Sequence, residues 1–383
     1  PLIVSGGGVF YSGAISELTD FAEHHNIPIV ETIAGRGMML HDHPNNAGPL
    51  GVIGSSSANA LAEEADVILA VGTRLQDFTT GSWSVFGNKK MRLISLNAAR
   101  YDAHKHRAIS VVGDALVGIE ELGKSLADWS GSESWTSKAG TLYAEWNRTI
   151  EEHSGKTDTV PPSYAHVVGA VNRVCDDTDL ALTASGGFPG ELCKNWKTKT
   201  VGTFDCEFGF SCMGYEIAGG WGAKMADPSR DVIVFVGDGA YLMLNSDVYS
   251  SVLTGHKMII ILCDNGGFGV INRLQNFKGS ASFNNLLEDS KVEHLEYVDF
   301  VQHAKSMGAL GEQVESISEL EAAFKRAKLA DRTYLISIKV QQHQWTPGDA
   351  WWDVGVPEVS QRKEVRQART DHSEGQKKQR IGV

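Results

Sequence analysis

The sequence predicts an α/β protein with two doubly wound parallel-sheet domains. Three observations carry the prediction. Short apolar strands alternate with helical stretches through the first third of the chain, a β-α-β unit with two apolar strands fills Asp231–Gln275, and glycine-rich turns follow several strands. Such alternation marks a parallel sheet with helices on its faces. Continuous β-branched runs suit strands buried on both sides.

The first domain, residues 1–128, has strand patterns at Leu2–Val4, Ile27–Glu31, Val67–Val71 and Arg92–Leu96, with helices such as Ala14–His24 and Ala58–Ala65 between them. It reads as Rossmann-like. Gly6-Gly7-Gly8 follows the first strand but fails the dinucleotide spacing, because Tyr11 stands where the last glycine belongs. Glu31 is at a fitting distance for a ribose-binding acid, yet a tight turn is the better reading. His41-Asp42-His43 and His104-Lys105-His106 lack the i,i+4 pairing or cysteine partners of a metal site and read as loop histidines.

Residues 129–160 form a linker. Ser130-Gly131-Ser132 marks the boundary, a polar helix runs from Ala139 to Glu152 with Leu142, Tyr143, Trp146 and Ile150 as its apolar stripe, and Pro161-Pro162 ends it.

The second domain, residues 161–342, opens with the helix Tyr164–Val174 and the strand Leu180–Thr183, which runs into Ser185-Gly186-Gly187. Small residues in the stretch Phe208–Gly222 would let a helix pack close to the sheet. The strand Val232–Val236 ends on Gly237-Asp238-Gly239, and a helix is expected from there through Leu253. The strand Met258–Leu262 ends on Asp264-Asn265-Gly266-Gly267-Phe268. A loop, Asn276–His294, lies where a substrate would enter. The helices Val298–Met307 and Ser318–Leu329 and the strand Tyr334–Val340 complete the domain. In parallel sheets ligands bind in the crevice past the carboxyl ends of the strands. Asp238 and Asn265 both sit there, and one carboxylate with one amide oxygen suits Mg²⁺ that must also hold a diphosphate. Glycines and a helix N-terminus beside them suit the phosphate oxygens. A bare Gly-Asp-Gly is more often a plain βα turn with a capping Asp. The Asn, its spacing and the two flanking strands favour the cation.

The tail, residues 343–383, places Trp345, Trp351 and Trp352 in a loop-like run that must bury against another surface, over a cofactor mouth or a partner subunit. From Gln361 on it is charged and expected to fray.

The 383 residues carry 35 basic and 47 acidic side chains, a net charge of −12, which disfavours nucleic acid and anionic membranes as partners. No apolar run approaches the ~20 residues of a membrane span. Five cysteines without a CxxC pair indicate a reducing, cytoplasmic setting. The chain opens directly on a strand, with no methionine, and reads as the interior of a longer protein.

Five phrases now carry a resemblance: Leu2–Val9, Gly209–Gly219, Gly237–Leu244, Asp264–Asn272 and Trp351–Ser360. With Gly-Asp-Gly and an Asn at the end of the next strand, they resemble the thiamine diphosphate enzymes of the acetolactate synthase-like group. Within it they look most like the trihydroxycyclohexanedione hydrolases of myo-inositol breakdown. Acetolactate synthases carry Leu-Pro-Ala-Ala where this chain has Glu216-Ile217-Ala218-Gly219. The resemblance implies a central domain and a diphosphate-binding domain, with thiamine diphosphate and Mg²⁺ as cofactors. It implies Asp238, Asn265 and the Gly267 carbonyl as metal ligands. Gly186, Gly187, Gly237, Gly239, Ala240, Gly267 and Phe268 would line the diphosphate side. Met213 would bend the cofactor, and the Ser211 carbonyl would accept from its aminopyrimidine. The central domain carries FAD in some relatives and nothing in others. The implied activity is hydrolytic C–C ring opening of a hydroxylated cyclic 1,2-diketone to a deoxyglucuronate. The rivals are a decarboxylase or carboligase acting on a 2-oxo acid, a non-catalytic nucleotide-binding module and, behind these, a nicotinamide dehydrogenase. Family members take the activating glutamate from an N-terminal domain of a neighbouring subunit, in a homodimer or homotetramer. No glutamate here fits that role, so these residues alone are expected not to turn over.

Overall fold

A computed structural model describes residues 1–380. Two six-stranded sheets are each parallel throughout. The first uses β1 (Leu2–Ser5), β2 (Ile29–Glu31), β3 (Asn46–Pro49), β4 (Val67–Val71), β5 (Arg92–Asn97) and β6 (Ile109–Val112), in the order β3-β2-β1-β4-β5-β6. The second uses β7 (Leu180–Thr183), β8 (Phe204–Cys206), β9 (Val232–Gly237), β10 (Ile259–Asp264), β11 (Leu310–Val314) and β12 (Tyr334–Lys339), in the order β11-β12-β10-β9-β7-β8.

Each sheet is buried on both faces because its central strands are apolar along nearly their whole length. Leu2 and Val4 join one core cluster while Ile3, between them, joins the cluster on the opposite face. In β9, Ile233 and Phe235 face one layer of helices and Val232, Val234 and Val236 the other. This is the period-two geometry of a strand with oil on both sides. The helix Tyr215–Ala226 lies close to β9, as the small residues suggested: a Cβ on Gly220 would stand 2.3 Å from Val234 Cγ2.

The linker helix is longer than expected, Glu133–Ser154, and packs on helices of both halves. A buried Arg36 joins the halves more firmly. It pairs with Glu31 at 2.8 Å and donates to the carbonyls of Cys193 and Trp196 at the end of the helix Phe188–Asn195. Glu31 is fully buried and also accepts the amides of Met38 and Met39. It is spoken for within the core, so it is no ribose acid.

Two expectations fail. The helix after Gly239 is broken into Asp238–Met243 and Asp247–Thr254, because the Asn245 side chain turns back to the Tyr241 carbonyl and Ser246 begins a new helix. The charged end does not fray: Lys363–Gln376 is a helix. It is held by tertiary contacts its composition hides. His372 bonds Asp353, and Gly375 lets the Trp351 ring lie against the backbone.

Candidate functional site

The second chain half folds out from β7 to β8 on one side and to β9 on the other, so the crevice of the topological switch opens between β7 and β9. Three loops meet there: Ser185-Gly186-Gly187 after β7, Gly237-Asp238 at the end of β9, and Asn265-Gly266-Gly267 after β10. A cleft of about 270 Å³ is lined by Gly186, Gly187, Ser211, Met213, Gly237, Asp238, Ala240, Asn265 and Phe268. Gly239 and Gly267 sit at its margin. A Cβ on Gly239 would press to 2.7 Å from the Phe268 ring, and the Gly267 amide donates to Asp238 Oδ2 at 2.7 Å. The structure thus gathers every residue singled out for the site in one place.

The turn at Gly267 needs glycine, since its φ is +143° and a Cβ would meet the Asn285 carbonyl at 2.5 Å. That carbonyl belongs to the loop Asn276–His294, which folds back under the turn. Phe268 donates to Asn285 at 2.7 Å and Leu287 donates to the Gly266 carbonyl at 2.8 Å. The loop read as an entrance is therefore also a buttress.

Asp238 and Asn265 are only 5% and 6% exposed. Each uses one side-chain atom in the protein. Asp238 Oδ2 takes the Gly267 amide, and Asn265 Nδ2 donates to the Tyr164 hydroxyl at 2.8 Å. The remaining oxygens, Asp238 Oδ1 and Asn265 Oδ1, are buried with no hydrogen-bond partner among the described residues. Buried oxygens are rarely left this way. Burial, and then the charge of Asp264, push the Asp238 carboxyl up to about 7, against the pull of backbone amides at Gly267, Gly239 and Asn265. Two bare oxygens, one of them a carboxylate short of positive charge, fit a hard divalent cation.

Tyr164 was missed as a site residue. It stands 101 positions before Asn265 and starts a helix whose pattern is merely apolar. Its ring stacks on Trp345 at 5.6 Å, and burial raises its phenol well above the ordinary range, keeping it neutral. The tail tryptophans are only half-buried, packed against residues of this same chain. Trp352 reaches the cleft wall, donates to Asp77 at 2.6 Å and packs edge-on against Phe78. Trp351 lies against the terminal helix.

Elsewhere, the first sheet has its own switch-point crevice, lined by Gly7, Gly8, Gly72, Thr73, Arg74 and Asn97 among others. This is the crevice a FAD would occupy, a cofactor that the resemblance allows without implying. The loop histidines engage protein partners: His43 pairs with Glu23, and His41 and His104 bond backbone carbonyls.

Comparison with known proteins bears directly on this geometry. Residues 1–122 match the family description "Thiamine pyrophosphate enzyme, central domain", and residues 185–338 match "Thiamine pyrophosphate enzyme, C-terminal TPP binding domain". The chain belongs to the thiamine pyrophosphate enzymes. The two matched domains fall on the two sheets described above, and the cleft lies in the second. Similar full-length proteins include the 3D-(3,5/4)-trihydroxycyclohexane-1,2-dione hydrolases of Geobacillus thermodenitrificans, 37% identical over 98% of this chain and 63% of the relative, and of Clostridium tetani, 35% identical over 96% and 62%. That of Clostridium perfringens is 37% identical over 93% and 60%. The chain spans about three fifths of the length of these relatives.

Proposed function

We propose that this chain supplies the cation and diphosphate side of a Mg²⁺-dependent thiamine diphosphate enzyme that opens trihydroxycyclohexane-1,2-dione to 5-deoxyglucuronate. The observation that carries the cofactor reading is the pair of buried, unpartnered oxygens on Asp238 and Asn265 at the strand ends. The substrate reading rests on the names of relatives that match nearly the whole chain.

In this reading Asp238 Oδ1, Asn265 Oδ1 and the Gly267 carbonyl hold Mg²⁺. Tyr164 fixes the Asn265 amide by taking its N–H, which leaves the oxygen for the metal. The Gly237, Gly239 and Ala240 backbone, the Gly266–Phe268 turn, and Gly186 and Gly187 receive the diphosphate. Met213 is the apolar wedge against the cofactor's bend, and the Ser211 carbonyl accepts from its aminopyrimidine. Bound thiamine diphosphate supplies a carbon nucleophile and an electron sink for breaking the bond between the two ketone carbons. Over the whole reaction one water is consumed, ending as the carboxylate of the open product. The walls of Phe78, Phe208 and Trp352 limit other water at the reacting carbon.

The pyrimidine side and the activating glutamate come from the part of the longer relatives that this chain does not span, supplied by a neighbouring subunit of a cytoplasmic homodimer or homotetramer. Full-length protein with Mg²⁺ and thiamine diphosphate is expected to convert the dione to 5-deoxyglucuronate, followed by NMR, and to leave pyruvate untouched. Consumption of pyruvate without ring opening would favour a carboligase. Cofactor binding that ignores Mg²⁺ and Asp238 would favour a non-catalytic module.

A further inference from the structure

The loop that brings Ser211 and Met213 to the cleft has no regular secondary structure, yet its amides are taken up in an ordered way. The Phe210 amide donates to Glu207 Oε1 at 3.0 Å and the Cys212 amide to Glu207 Oε2 at 2.9 Å. The Gly214 amide donates to Glu216 Oε2 at 2.8 Å. Every second amide from 210 to 214 is therefore held by a carboxylate. The two residues between them, Ser211 and Met213, are those that line the cleft. Ser211 has a φ of +53°, a conformation a non-glycine residue adopts only when its surroundings impose it.

Glu216 does more than cap its own helix. It is 0% exposed, and its second oxygen accepts the Ser185 amide at 3.0 Å and the Ser185 hydroxyl at 3.4 Å. Ser185 opens the Gly186-Gly187 loop, which lines the same cleft. No lysine or arginine pairs with Glu216 among the described residues. The carboxylate is satisfied by N–H and O–H donors and by its place in the first turn of the helix Tyr215–Ala226. A carboxylate suits this job because both oxygens accept and neither donates.

We infer that Glu207 and Glu216 are positioning residues that brace the Ser211–Met213 loop against the cofactor's ring half, with Glu216 also tying that loop to the diphosphate wall. The inference rests on the cofactor reading above. It separates two parts of one ligand: inorganic diphosphate with Mg²⁺ probes the phosphate wall alone, whereas thiamine diphosphate also probes the ring side.

Affinities of both ligands, with Mg²⁺, are measured in the full-length protein by quenching of tryptophan fluorescence, Trp352 being on the cleft wall. Glu207→Gln turns an amide N–H₂ toward a backbone donor and frees the loop. It is expected to weaken thiamine diphosphate at least tenfold and inorganic diphosphate less than threefold. Glu216→Gln should weaken thiamine diphosphate at least as much and diphosphate by a smaller factor, through Ser185. Equal loss on both ligands in Glu207→Gln, or wild-type affinity in either variant, overturns the inference. Should Glu216→Gln not fold, the Glu207→Gln split decides alone. A wild-type protein that binds neither ligand removes the cofactor reading itself and the inference with it.

Discussion

Replacing Asp238 by Asn should make the metal-free protein more stable while removing its response to Mg²⁺. In the fold the Asp238 carboxyl titrates near 7 rather than at its ordinary 3.8, because it is buried and faces Asp264. A raised acid is favoured protonated, so ionising it opposes folding. At pH 8 the ionised side chain costs the metal-free fold up to about 4 kcal/mol, at roughly 1.36 kcal/mol per pKa unit. The cost is complete above pH 7, falls below half by about pH 5, and vanishes below 3.8. Asn keeps the shape. Its oxygen can still take the Gly267 amide, and its N–H₂ carries no charge to be held out of water. With ~2–4 °C per kcal/mol for a domain of this size, Asp238→Asn should melt up to about 8–16 °C higher than wild type in EDTA at pH 8, and the gap should narrow toward pH 5. Adding Mg²⁺ with thiamine diphosphate should raise wild type and leave the variant unmoved. Scanning calorimetry at the two pH values, with and without the cation, reads all four arms. A variant less stable than wild type in EDTA at pH 8, or an equal rise of both with Mg²⁺, would refute the reasoning.

Tyr164→Phe removes the partner of the Asn265 amide and should weaken Mg²⁺ binding several-fold while costing stability only about 0.5–1.5 kcal/mol, as calorimetric titration and urea melts would show. Arg36→Met leaves Glu31 buried without its counter-charge and should cost about 3–5 kcal/mol at pH 8. Burial already raises the Glu31 carboxyl, so acidification should restore part of the loss as it protonates, measurable by denaturant midpoints across pH. Phe235→Ala empties a fully buried ring site in the second core and should cost about 3–5 kcal/mol, without altering the pH response of the Arg36 variant.

The central strands were legible because Val232–Val236 and Ile259–Leu262 are apolar at every position, which only a doubly covered sheet satisfies. The outer strands were not. β3 reads Asn-Ala-Gly-Pro, β8 has three residues, and β11 carries Gly311, Glu312 and Gln313. Their neighbours impose the extended state, and an edge tolerates polar residues that a centre would not. The same divide runs through the site. Asp238 and Asn265 announce themselves locally, each beside glycines at the end of an apolar strand. Tyr164 and Glu216 act through contacts with Asn265 and Ser185 that exist only once the sheet is assembled. The terminal helix was hidden for a similar reason, since its buried face is little more than Val365, His372 and Gly375.

The proposed cofactor chemistry depends on a cation shared by Asp238 and Asn265. Electron paramagnetic resonance of Mn²⁺, substituting for Mg²⁺, tests this most directly in the presence of thiamine diphosphate. One bound Mn²⁺ per chain is expected in wild type, with the bound signal lost in both Asp238→Asn and Asn265→Ala. Undiminished Mn²⁺ binding in either variant would contradict it.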